Sequence, residues 1–338
     1  MSKEIIQEWL KLSDQTKRNI FGETALRKGI PENAVEKDWW VVQTLSLLFS
    51  LSCAPYLIFK GGTSLSKGWN LIERFSEDVD LALDREFLGF KGELTTRDIK
   101  NLRKASKKYI ITTFTDELQA AFLETGFSEV KVQAREFVSS GQDPMIVEIY
   151  YPKLTETESY LKPGILVEIG SRFLMEPSTQ CSFCTMVAES YAGSPFSDAP
   201  ITVPTANPER TFLEKIFLLH EEFQKPRENV KIERMSRHYY DIEKLMHLEA
   251  SVTILHNSEL YKTIVEHRSK LTPLAEVDYN RQNPKDIRFL PPEELLPAWE
   301  ADYKQMQENM IHGNSLSFKE LMKKLSELQR QINDIQWK

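Results

Sequence analysis

The alternation of apolar and polar positions divides the chain into a mixed first part and a helical last part. Residues 2–13 place Ile5, Ile6, Trp9, Leu10 and Leu12 on or near one helical face. A second helix is predicted from Ser13 or Asp14 into Ala25. A third is predicted from Glu32 through Leu51, carrying Trp39, Trp40, Val41, Leu45, Leu47 and Leu48. Strand character then takes over, in a strand Tyr56–Lys60 whose apolar run is Tyr56 to Phe59 and in a strictly alternating run, Val79–Leu83. A helix is expected over Ser64–Ile72, between these two strands. Residues 97–124 predict a long helix or helix pair ending near Gly126. Further strands are predicted at Val130–Phe137 and Ile146–Tyr151, and at Ile165–Ile169 after a turn at Pro163-Gly164. Pro195, Pro200, Pro204 and Pro208 mark a loop or lobe boundary between Glu189 and Pro208. Beyond it the pattern is helical: Glu209–Phe223 opened by Asn207-Pro208, then a helix from near Ser236, then Pro292–Met310 and Ser317–Ile335. Ser317 with Glu320 fits a capping box, and residues 268 to 290 read as a polar loop. The fold class is α/β (α+β): a mixed-sheet lobe flanked by helices over 1–203, then a helical lobe over 204–338.

The alternation in the second strand carries chemistry. Val79, Leu81 and Leu83 face one way, and Asp78, Asp80 and Ala82 the other. Two carboxylates on one face of a strand repel each other, and a divalent cation between them relieves the repulsion. Upstream stand Gly61, Gly62, Thr63 and Ser64. Glycine lets backbone N–H groups approach phosphate oxygens closely, and a helix N-terminus at Ser64 favours anions. Together these features read as a metal–nucleotide site. No Walker motif and no nucleophile elbow is present.

Bulk composition narrows the alternatives. With 338 residues, 41% hydrophobic and 28% charged, the chain is an ordinary globular protein with room for two lobes. A formal net charge of −7 argues against broad, charge-driven binding to DNA. Arg97, Lys100, Arg103, Lys104, Lys107 and Lys108 suit one side of a helix, either a solvated face or a local basic groove. Cys53, Cys181 and Cys184 make no disulfide framework, and the six histidines show no metal spacing. His238 reads as a helix-surface histidine, or as an assistant at the site. Trp39-Trp40 and Tyr239-Tyr240 read as core. The N-terminal residues carry no signal-like apolar stretch, and no membrane span is expected, so a cytoplasmic location fits.

Gly-Gly-Thr-Ser followed after a spacer by Asp-Val-Asp resembles the signature of the DNA polymerase β-like nucleotidyltransferases. The fuller wording, Lys60 to Lys67 with Arg74 to Leu81, resembles the AbiEii/AbiGii-type toxin branch, as does Glu36-Lys37-Asp38-Trp39-Trp40-Val41. The resemblance implies a nucleotidyltransferase-like sheet lobe and an enzyme that transfers NMP from an NTP with release of pyrophosphate. It implies Mg²⁺ held by Asp78, Asp80 and a third carboxylate on a neighbouring strand. Glu168, in Ile165 to Arg172, matches that third position, and Glu148 competes with it. Thr211 to Ile216 and Arg237 to Asp241 resemble the two helical-lobe motifs of the family, in which Lys215 and Asp241 complete the nucleotide pocket. Asp241 would orient Lys215 or accept from the acceptor substrate. An inter-helix ion pair is the plainer reading, with Arg237 as a further partner of Asp241. Glu36, Lys37 and Asp38 read either as exposed helix charges or as braces of the nucleotide lobe. The resemblance further implies the toxin of a toxin–antitoxin or phage-defence pair, with tRNA as a plausible acceptor and a cognate antitoxin as partner. The rivals are a transferase acting on a small molecule or a protein side chain, and a non-catalytic nucleotide-binding module.

Overall fold

The computed structural model describes residues 3–76, 78–136, 144–156, 164–175 and 177–337, with side chains from Ile6 onward. Phe137 and Pro163, named above, and Glu77, within the stretch Arg74 to Leu81, lie outside the described residues. Contacts sort the chain into two compact units. One comprises Met1–Gly68 with Phe75–Thr205, the other Trp69–Arg74 with Ala206–Lys338.

The first unit begins with α1 (Lys3–Lys11), α2 (Asp14–Lys28) and α3 (Glu32–Leu48). The Ser13 hydroxyl caps α2 by accepting from the Thr16 N–H, and Gly29 ends it at φ 66°. Next, β1 (Leu57–Lys60) runs into a single helical turn, α4 (Gly61–Thr63), prolonged by a π-helical stretch over Ser64–Gly68. After β2 (Asp78–Leu83), α5 (Thr96–Tyr109), a π-helical stretch (Ile110–Phe114) and α6 (Thr115–Thr125) follow without a break. Then come β3 (Lys131–Ala134), β4 (Met145–Tyr150), β5 (Ile165–Gly170), β6 (Ser178–Phe183), α7 (Met186–Ser190) and β7 (Ile201–Ala206). The strands form one mixed sheet in the order β3-β4-β5-β2-β1-β7-β6. Strand β2 is central, parallel to β5 and antiparallel to β1. Phe59, Val79, Leu81, Val167 and Ile169 are fully buried in one core with Trp9, Phe21, Trp39, Val42 and Leu45 of the first three helices. That core covers the apolar face of β2. The two aspartates of β2 point to the other face.

Several elements differ from expectation. The helix expected over Ser64–Ile72 begins earlier, at Gly61, and stops at Gly68. Residues 69–74 leave the helical path because Asn70 adopts φ 52° and the Trp69 indole N–H donates to the Ala206 carbonyl at 2.9 Å. The proline-rich stretch 189–208 holds β7, whose Thr205 is the register partner of Phe59 in a parallel pairing. Proline weighed against a strand there, but the sheet accommodates Pro204. Strand β6, outside every alternating run, was not expected.

The second unit contains α8 (Pro208–Glu222), α9 (Ser236–Leu245), α10 (Glu249–His256), α11 (Ser258–Leu271), α12 (Leu296–Asn309) and α13 (Phe318–Asn333). Ser317 and Glu320 make the expected capping box. Tyr239, Tyr240, Phe212, Phe217, Trp299 and Tyr303 are buried, with the Tyr239 and Trp299 rings 4.9 Å apart. Helices α10 and α11 were not expected. The stretch read as a polar loop begins inside α11 and carries the fully buried Ile287 and Phe289. The short segment 69–74 belongs here: Arg74 bridges Ile311, and the Glu73 N–H donates to the Tyr240 hydroxyl at 3.2 Å.

Candidate active site

Strand register assembles the carboxylates. Asp80 pairs with Glu168 on β5 and with Lys60 on β1, and Asp78 pairs with Leu166. Asp78, Asp80, Glu168 and Lys60 therefore share one face of the sheet. Glu148 shares it too, opposite Leu166 on β4 and so one strand beyond Glu168. Its carboxylate is already engaged, accepting from Arg135 Nε at 2.7 Å and from the Tyr150 hydroxyl at 2.9 Å. Burial raises the Glu148 pKa, and the bonds from Arg135 and Tyr150 outweigh it, leaving it below its ordinary value. Of the two glutamates, Glu168 is the one beside Asp80.

The glycine turn sits directly on this face. Gly61 has φ 79°, a left-handed backbone that side chains disfavour. A Cβ at Gly61 would lie 1.9 Å from Asp80 Oδ2, so the carboxylate occupies the space a side chain would need. Thr63 and Ser64 are buried, and their hydroxyls turn inward. The Thr63 hydroxyl donates to the Asp78 carbonyl and lies 3.0 Å from the Ser76 hydroxyl; the Ser64 hydroxyl donates to the Gly61 carbonyl at 2.9 Å. These two side chains shape the turn. That leaves the backbone N–H groups at the start of α4, at half-buried Gly61 and Gly62, as the turn's donors toward an anion.

Behind the turn, Glu36, Lys37 and Asp38 are buried, at 2%, 3% and 3% exposure, so the exposed-charge reading is overturned. Glu36 accepts from the N–H groups of Leu154 at 2.7 Å and Thr155 at 3.0 Å. Asp38 accepts from the Met186 N–H at 2.8 Å and holds the Lys67 ammonium at 2.7 Å. Lys67 lies in the π-helical extension of the turn. Thus α3 carries a carboxylate that fastens the turn to the first unit's core.

The helical unit holds a separate cluster. Asp241 is fully buried and takes Arg74 on both oxygens, Nε to Oδ1 at 2.7 Å and a terminal nitrogen to Oδ2 at 2.7 Å. The Lys215 ammonium lies 2.8 Å from Asp241 Oδ2 and 3.5 Å from His238 Nδ1. Burial opposes ionisation of Asp241, but Arg74 and Lys215 overcome it and hold the carboxylate well below its usual range. Burial pushes Lys215 down against the pull of Asp241. Burial, then Lys215 and Arg237, push His238 well below its ordinary value, so it is neutral. His238 is a buried neighbour of Lys215, and not a surface residue as its helix position suggested. Both Asp241 oxygens are engaged, and its contact with Lys215 is a buried ion pair within the helical unit. Arg74, which takes both Asp241 oxygens, comes from the spacer between the glycine turn and the aspartates; it opens the Arg74 to Leu81 stretch of the family resemblance, but nothing in the sequence marked it as a partner of Asp241.

Among the described residues, no three His, Cys, Asp or Glu side chains converge into a ready-made metal cage. The donor set still suits Mg²⁺, a hard cation bound by one or two carboxylates together with substrate phosphates. The sheet and its flanking helices are of the α/β nucleotidyltransferase-like class. Residues 46–324 match the family model described as nucleotidyl transferase AbiEii toxin, type IV TA system. That span is most of the chain, and the chain belongs to this family. None of the curated proteins compared with it matches. Among the described residues, no helix is long and apolar enough to cross a membrane.

Proposed function

We propose that this protein is an Mg²⁺-dependent nucleotidyltransferase that moves NMP from an NTP to an RNA acceptor, tRNA being the favoured one. It would act in the cytoplasm as the toxin of its toxin–antitoxin pair, opposed by a cognate antitoxin. The observation that supports this reading best is the pairing of Asp80 with Glu168 beside a glycine turn moulded onto Asp80. In the proposed reaction an acceptor hydroxyl attacks the α-phosphorus, a new P–O bond forms, and the bond to the β-phosphate oxygen breaks. Pyrophosphate leaves, and the hydroxyl proton passes to a carboxylate, Glu168 being the favoured base. Asp78, Asp80 and Glu168 would hold Mg²⁺, which supplies charge stabilisation for the triphosphate and the attacking oxygen. Gly61 and Gly62 would bind phosphate through their backbone, while Thr63 and Ser64 hold the turn's shape. Lys215, oriented by Asp241, is the proposed phosphate cation of the helical unit.

The test is incubation of the purified protein with total tRNA, Mg²⁺ and each labelled NTP in turn, with Asp78→Ala/Asp80→Ala alongside. Label should enter RNA with the wild type and fall by at least about a hundredfold in the double variant. Label entering protein or a small molecule would replace the acceptor. NTP binding without transfer, joined to undiminished toxicity of the double variant, would reduce the protein to a binding module.

A further inference from the structure

We infer that the exposed side of α5 is a docking stripe for the phosphate backbone of RNA. The inference takes its choice of polyanion from the acceptor proposed above. Arg97, Lys100, Lys104 and Lys108 are all exposed, while Leu102 and Ser106 on the opposite side of the helix are buried. At 1.5 Å per residue the stripe is about 16 Å long, with its lysines about 6 Å apart. Lys100, Lys104 and Lys108 follow one another at four-residue spacing on that exposed side, and among the described residues none of the three makes an ion pair; exposed Lys262 and Lys319 are likewise without one, so it is the regular spacing that sets the stripe apart. The one acid within α5, Asp98, is turned back to the helix start, accepting from the Thr95 N–H at 3.0 Å and from its hydroxyl.

This concentration of positive charge stands out on a chain whose formal net charge is −7. A regular row of unneutralised lysines complements a row of phosphates. Lysine is a mobile point charge suited to backbone contact, not to reading bases. Such contacts bind through release of counterions, so they weaken steeply with salt.

The experiment measures equilibrium binding of total tRNA to the full chain, without NTP, from about 50 to about 200 mM salt. The wild type is compared with Lys100→Glu/Lys104→Glu/Lys108→Glu and with a charge-matched control, Lys262→Glu/Lys270→Glu/Lys304→Glu. Because all of these side chains are exposed, thermal melting should confirm that each variant folds. The stripe variant should bind tRNA at least tenfold more weakly at low salt. Its log–log salt slope should be shallower by about 2–3, at roughly 0.7–0.9 per lost phosphate contact. The control should keep the wild-type slope. Equal affinity and slope in the wild type and the stripe variant would overturn the inference, as would equal losses in both variants or no tRNA binding by the wild type. Polyglutamate bound as tightly as tRNA and lost in the stripe variant would assign the surface to an acidic protein instead. Because NTP is absent, these outcomes stand apart from whether the protein transfers nucleotides.

Discussion

Gly61→Ala is expected to reduce nucleotidyl transfer by at least about a hundredfold, although it adds one methyl group. Two effects combine. The residue sits at φ 79°, where a side chain costs about 1–2 kcal/mol. The new Cβ would also stand 1.9 Å from Asp80 Oδ2 and 2.6 Å from its carboxyl carbon, so the carboxylate must move by more than about 1 Å. Displacement of a positioned group on that scale costs about 10²-fold in rate. Gly89→Ala separates the two effects. Gly89 has a similar φ of 85°, but a Cβ added there would meet nothing within 4 Å. It should lose stability by about 1–2 kcal/mol and keep its transfer rate. Comparable rate losses in both variants would remove the special link between the turn and Asp80.

Asp241→Ala is expected to destabilise the protein by about 3–5 kcal/mol, the range for breaking a buried ion pair and leaving its partner uncompensated. Arg74, at 2% exposure, cannot shed its charge, whereas Lys215 can lose its proton because burial already lowers its pKa. Lys215→Ala should therefore cost less than Asp241→Ala, since Arg74 still satisfies both carboxylate oxygens. The pH dependence has a definite sign. The folded-state pKa of Asp241 lies below its unfolded value, which is about 3.9. Its stabilising contribution is thus complete above about pH 4 and is lost as pH falls toward the folded-state value. Urea denaturation of the three proteins at neutral pH, and of the wild type in acid, measures each difference. Equal losses from the two substitutions would show that the cluster is not organised around Asp241.

The reach of the sequence differs from element to element. Alternation in Asp78–Leu83 and Ile165–Gly170 exposed both strands and the side of each that carries acid, because one face of each strand is packed on the core. The pairing of Asp80 with Glu168 is a long-range register, which neither strand encodes alone. The same holds for Glu36 and Asp38. Their charges suggested a solvated helix face, and only the chain arriving from Leu154, Thr155 and Met186 satisfies them inside the protein. Helix α8 was legible from its Asn-Pro start and apolar spacing, and so was Lys215 through its family motif. Arg74 was not legible as a partner, because the contact spans 167 positions in sequence. Strand β7 escaped because proline weighs against strands wherever no sheet is known to receive it.

The most direct measurement is the initial rate of label transfer to tRNA by Glu168→Ala and Glu148→Ala, side by side with the wild type. Glu168 stands beside Asp80, whereas Glu148 is held by Arg135 and Tyr150. Loss of transfer by at least about a hundredfold in Glu168→Ala, with Glu148→Ala within about threefold of wild type, is the expected result. A folded Glu168→Ala protein that transfers at the wild-type rate would contradict the assignment of the active site to this face of the sheet.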